Sequence, residues 1–168
     1  EFYGLPFEVN EFISKEGVKD YMFSICKHSP REYQIEGVYD ALRHNRKLLI
    51  SPTASGKSLM IYSIVRYYVE KQKNILIVVP TTSLVEQMYK DFADYGWDVG
   101  SYCHKIYAGK ERETDSQVII TTWQSIYKLP RKYFERFSVV VGDEAHQFKS
   151  KSLISIMTKL DNAKFRYG

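Results

Sequence analysis

Cysteine is scarce in this chain. Two are present among 168 residues, Cys26 and Cys103, and they form neither a C-x-x-C motif nor any other metal-ligand spacing. That argues against a disulfide framework and fits a reducing compartment such as a cytoplasm, the host's if the gene is phage-borne. Long apolar runs are also lacking. None approaches the ~20 residues that cross a bilayer, and no secretory leader opens the chain, so no membrane partner is expected. Internal repeats and low-complexity tracts are missing as well. Neither charge sign dominates strongly: 24 Lys and Arg against 20 Asp and Glu leave a net charge of +4. A mildly basic balance suits a nucleic-acid partner, but many proteins without one share it. The first residue is Glu1 rather than Met, so the chain reads as a piece of a longer protein.

What is present is ordinary in bulk. Hydrophobic residues make up 44% and charged residues 26%, enough for one globular domain with a substantial core. The 14 tyrosines are expected to pack rather than to stack on bases.

Val18, Tyr21, Met22 and Ile25 fall at helical spacing, which predicts a helix in an N-terminal extension or linker over 1–28. Pro30 can open a second helix, with Ile35, Val38, Tyr39 and Leu42 as its apolar stripe. Strands are then expected at 47–51, 74–79, 117–121 and 138–142, with helices at 58–71 and 82–94. Leu153, Ile156, Met157 and Leu160 mark a last helix, and 164–168 the start of a further strand. Ser83 and Glu86 have capping-box spacing. Ile75-Leu76-Ile77-Val78-Val79 and Val139-Val140-Val141 are apolar throughout, as parallel strands covered on both faces are. The expected fold is α/β, a doubly wound, mainly parallel sheet with helices on both faces and ligands beyond the strands' carboxyl ends.

Two polar loops follow such strands. Ser51-Pro52-Thr53-Ala54-Ser55-Gly56-Lys57-Ser58 matches a phosphate-binding loop except that Ser51 replaces the first glycine. In that role the backbone of 53–56 cradles phosphates, Lys57 neutralises them, and the Ser58 hydroxyl takes Mg²⁺. Alone, the same residues describe a Ser/Gly turn before a surface lysine. The second loop opens with Asp143 and Glu144. Asp143 can hold Mg²⁺ and Glu144 can activate water as general base, whereas an isolated acidic pair after a strand is ordinarily a solvated turn or cap. Together the loops supply the minimum chemistry of a nucleoside triphosphatase.

Asp143-Glu144-Ala145-His146 is the DEAH form of the helicase signature, and residues 29–168 resemble the first RecA-like, P-loop domain of superfamily 2 helicases. The nearest resemblance is to UvsW-type phage helicases acting on branched DNA. It implies ATP and Mg²⁺ as cofactors, with Arg31 and Gln34 of Pro30-Arg31-Glu32-Tyr33-Gln34 at the adenine. It further implies a single-strand track over Pro80, Thr81, Thr82, Thr121, Thr122, Trp123 and Gln124, with Gly109 between the segments. Helix capping by the threonines is compatible with that track, and Trp123 is read first as a packing residue. His146 would couple ATP to the opposite face of a second RecA-like domain, which supplies an arginine finger and is not in this chain. The isolated domain is therefore expected to be weakly active or inactive. Ala54 stands where most members carry glycine; alanine resists positive φ, so weaker nucleotide binding is expected. DNA or RNA remains open as the track's ligand. A restriction-enzyme translocase and a non-catalytic nucleic-acid-binding module are the alternative functions.

Overall fold

Residues 10, 13–47, 54–108, 113–143 and 150–168 are described by the computed structural model. The first part of the chain contributes α1 (Lys15–Ile25), α2 (Glu32–Arg43), β1 (Arg46–Lys47), α3 (Ala54–Glu70), β2 (Ile75–Val79) and α4 (Thr82–Asp94). Then come α5 (Val99–Tyr102), β3 (Cys103–Ile106), β4 (Val118–Thr122), α6 (Trp123–Ile126) and α7 (Arg131–Phe134). The last elements are β5 (Val139–Gly142), α8 (Ser150–Lys159) and β6 (Phe165–Tyr167). The strands form one sheet in the order β1-β6-β5-β2-β4-β3, parallel at every pairing.

Burial on both faces explains the all-apolar strands. Ile75, Ile77 and Val79 of β2 share one core with Val118, Ile120, Val139 and Val141, and with Met22, Val38, Met60, Ile64 and Phe92 from α1–α4. The alternate residues Leu76, Val78, Ile119 and Val140 pack on the other face against Trp123, Ile126, Phe134, Ile156 and Leu160. Side chains alternate along a strand, so covering both faces leaves no position for a polar residue. Each such side chain contributes about 1.5–3 kcal/mol on burial.

A parallel neighbour cannot be reached by a tight turn. Accordingly α3 carries the chain from the sheet's edge at β1 to its middle at β2, and β5 and β6 later fill the gap. All strands thus point their carboxyl ends to one edge, where the residues that follow β2 and β4 lie.

Local chemistry sets the helix ends. Ser14 caps α1 by accepting from Gly17 N at 3.1 Å, and Val18 and Met22 then enter the same core as α2 and α3. The expected capping box at Ser83 is displaced: Thr81 is the cap, accepting from Leu84 N at 3.2 Å. The strand ends so close to the helix that Ser83 is already its second residue. Glu86 turns to the sheet edge instead, accepting from Lys105 Nζ at 2.9 Å and from Tyr107. Gly96 ends the α4 segment at φ 106°, a conformation that L side chains rarely adopt.

The structure moves several expected boundaries. Helix α3 starts at Ala54, a turn earlier than expected, and β4 runs one residue later. Of the strand expected at 47–51, the described part is Arg46–Lys47, and 48–53 lie outside the described residues. Strand β3 and the single-turn helices α5, α6 and α7 were not expected.

Candidate nucleotide and nucleic-acid sites

The first turn of α3 and the end of β5 meet at the carboxyl edge. Asp143 is fixed by its backbone N–H, which donates to Val78 O at 2.9 Å. Lys57 Nζ reaches its Oδ1 at 3.1 Å, the two side chains being 19% and 13% exposed. Oδ1 itself is fully buried and accepts no well-directed hydrogen bond among the described residues, so the ammonium is its counter-charge. At 3.1 Å and an effective dielectric of about 20 the attraction is about 5 kcal/mol before desolvation is subtracted.

Gln34 joins the start of α2 to the first turn of α3. Its Oε1 accepts from Arg31 N at 2.8 Å, and its Nε2 donates to Gly56 O at 3.2 Å. The side chain is buried, whereas Arg31 is exposed. Ser58 points elsewhere: its Oγ donates to Asp91 Oδ2 of α4 at 2.9 Å. Beside it the Tyr95 phenol is pushed above its ordinary pKa, chiefly by burial. Ala54 and Ser55 are helical, and Gln72 is the non-glycine residue with positive φ among those described. Alanine at position 54 therefore carries no left-handed strain. Ser51, Thr53, Glu144 and His146 lie outside the described residues.

A buried carboxylate oxygen faced by nothing but a displaceable cation is a site Mg²⁺ fits. Magnesium takes oxygen donors, keeps several waters, and needs one or two carboxylates plus substrate phosphates. No cluster of three or more metal-ligating side chains occurs among the described residues. Asp143 suits that role as placed; Ser58 suits it after leaving Asp91.

The other segments gather beside this pair. β2 and β4 are neighbours, with Val79 opposite Thr122, and Gln124 Nε2 ties the segments by donating to Pro80 O at 3.3 Å. Thr81, Thr82 and Gln124 are exposed there. Thr121 is fully buried and donates to Thr122 O. The Thr122 hydroxyl is bonded to that of Ser125 at 2.8 Å. Trp123 is buried, its ring edge-on to Tyr127 with centroids 5.7 Å apart. A surface ligand would thus meet Thr81, Thr82 and Gln124 rather than the Thr121 or Trp123 side chains. Gly109 lies outside the described residues.

Lys57 in the first turn of α3 and Asp143 at the end of β5 thus stand together at one edge of a parallel sheet. The family model described as type III restriction enzyme, res subunit, matches residues 27–166. The chain belongs to this family. This res-family chain is 38% identical over 144 residues to the ATP-dependent DNA helicase uvsW of Enterobacteria phage T4, across 83% of its own length and 29% of the relative's. It is 30% identical over 139 residues to the DNA 3'-5' translocase XPB2 of Sulfurisphaera tokodaii, covering 82% of itself and 29% of that protein. It spans, then, under a third of these curated relatives. The crystal structure of the bacteriophage T4 UvsW helicase superposes with a TM-score of 0.87 at 32% identity, covering 96% of this chain and 61% of that one. The resemblance to superfamily 2 helicases and the RecA-like α/β fold are thereby borne out. No helix among the described residues of this res-family chain is long and apolar enough to cross a membrane.

Asp91 escaped the sequence reading. It lies 33 residues from Ser58, on the polar side of an ordinary amphipathic helix, and no local pattern singles it out.

Proposed function

We propose that residues 29–168 are the first, ATP-binding RecA-like domain of a DNA helicase or translocase, with 1–28 as its N-terminal extension. The observation that carries this reading is the Lys57–Asp143 pair at 3.1 Å, on the same sheet edge as the exposed Thr81, Thr82 and Gln124. The relatives support it, one being an ATP-dependent DNA helicase and the other a DNA 3'-5' translocase. In this reading bound Mg²⁺–ATP supplies the phosphoanhydride and a cation that screens it. With nucleotide bound, Lys57 would neutralise phosphate oxygens in place of Asp143, and the Asp143 carboxylate would hold the cation. Ser58 exchanges Asp91 for the same cation. Gln34 sits at the adenine side while still bonded to the phosphate loop. Glu144 takes a proton from the attacking water, and His146 faces a second RecA-like domain elsewhere in the protein. Thr81, Thr82 and Gln124 hold a phosphate backbone without reading base edges. Branched DNA in recombination and repair is the proposed substrate, acted on inside the cell.

Glu144→Gln in the full-length protein should keep ATP binding and lower DNA-stimulated hydrolysis by about 10²–10⁴. Unchanged turnover would remove Glu144 from the mechanism. Stimulation measured with single-stranded DNA, forked DNA and RNA separates the DNA motor from an RNA helicase, and failure to bind any ATP analogue would favour a non-catalytic module.

A further inference from the structure

A cavity of about 370 Å³ lies between the turn after α6 and α8 along its length, lined by Tyr127, Lys128, Lys151, Ser152, Ser155 and Lys159. It thus gathers three ammonium groups, two serine hydroxyls and one phenol, with no carboxylate among the described lining residues. The arrangement is built rather than incidental. Lys159 Nζ and Ser155 Oγ both donate to Tyr127 O, at 2.8 and 3.1 Å, and Lys128 Nζ sits 5.5 Å from the Tyr127 ring centroid. Asp161, a nearby acid on the chain that follows α8, is already paired with Arg131. Like charges drawn together with no opposing carboxylate favour a polyanion.

Position narrows the ligand. Helix α6 begins at Trp123, directly after Thr122 at the carboxyl end of β4, and α8 enters from the loop after β5. The exposed Lys128 follows Gln124 by four residues, and the exposed Lys151 lies in the first turn of α8. We infer that this lysine-lined cleft binds the phosphodiester backbone of a nucleic acid continuing past Gln124, as a second sequence-independent anchor. The inference rests on the motor reading above.

The test is the salt dependence of binding by the full-length protein to a fluorescein-labelled single strand. Each phosphate neutralised contributes a slope of about −0.7 in log K against log salt. Lys128→Gln with Lys151→Gln should make the slope shallower by about 1.4, so that wild type loses about sevenfold more affinity than the variant between ~50 and ~200 mM salt. ATP-analogue binding without DNA should be unchanged. Arginine at both positions should retain the wild-type slope. Lys73→Gln, just before β2 at the opposite sheet edge, should also retain it. Wild-type binding with an unaltered slope in the double glutamine variant would overturn the cleft and leave the motor intact. An equal change in Lys73→Gln would reduce the effect to net charge and overturn it too. No nucleic-acid binding by wild type would overturn both readings.

Discussion

Removing Lys57 should destabilise the protein when no nucleotide is present. The side chain is ordinarily considered for what it does to phosphates, yet here it is the counter-charge of a carboxylate oxygen that is fully buried. Breaking a buried pair by deleting one partner costs about 3–5 kcal/mol. The partial exposure of both groups, 19% and 13%, lets water take up some of that, which leaves about 2 kcal/mol. For a protein of this size that corresponds to about 4–8 °C in Tm. The assay is thermal and urea unfolding of wild type, Lys57→Ala, Asp143→Asn and the double variant in nucleotide-free buffer. Because each single variant strands its partner, the double variant should be more stable than the sum of the singles implies, with a coupling of about 2 kcal/mol. Additivity within about 0.5 kcal/mol, the behaviour of independent sites, would refute the reasoning and mean that the pair contributes nothing at rest.

Asp91→Ala should cost about 1–2 kcal/mol of stability by removing the acceptor of Ser58 Oγ; an unchanged urea midpoint would show that bond to be inconsequential. Alkaline pH should unfold the protein early. The phenols of Tyr21, Tyr68 and Tyr167 are pushed above their ordinary range, chiefly by burial, and burial pushes the Cys103 thiol up to about 12. In the unfolded chain thiols ionise near pH ~8.5 and phenols near ~10. The stability these groups contribute is therefore complete below about pH 8.5. As the pH rises it falls by about 1.4 kcal/mol per pH unit for each group ionised in the unfolded chain alone. Urea titrations across this range should show the decline begin later in Cys103→Val; a flat wild-type profile would contradict it.

The legible parts of this fold were those whose sequence pattern belongs to one environment. β2 and β5 are apolar at every position because both faces are covered, so their place inside the sheet could be read without a partner in view. β3 could not. Cys103-His104-Lys105-Ile106 alternates only weakly, pairs on one side with β4 alone, and is too short for a period to emerge. α5, α6 and α7 have four residues each, about one turn, which leaves no stripe to detect. The cap of α4 was misplaced because Thr81, Thr82 and Ser83 are all competent caps, and where the strand stops decides among them.

At the site, the meeting of Lys57 and Asp143 was readable because each stands just past an expected strand and the parallel sheet brings those strand ends together. Ser58's attachment to Asp91 was not readable, since it depends on how α3 and α4 pack. Trp123 was legible as a packing residue and lies in the core with Ile156 and Leu160 of α8; Thr121 was already expected inside β4, and its burial follows from the cover on both faces of that strand.

The end of β2 carries a consequence of its own. Val78 O accepts the Asp143 N–H on one side, and Pro80 O accepts Gln124 Nε2 on the other. The two carbonyls are two residues apart, about 7 Å of extended backbone. In the proposed motor that short span of backbone joins the hydrogen bond that fixes Asp143 to the one that holds Gln124. A stroke need not be relayed through the core of the domain. A rotation of a single peptide at Val79 would be felt on both sides of it, and stiffness at that one position would set how faithfully chemistry becomes movement.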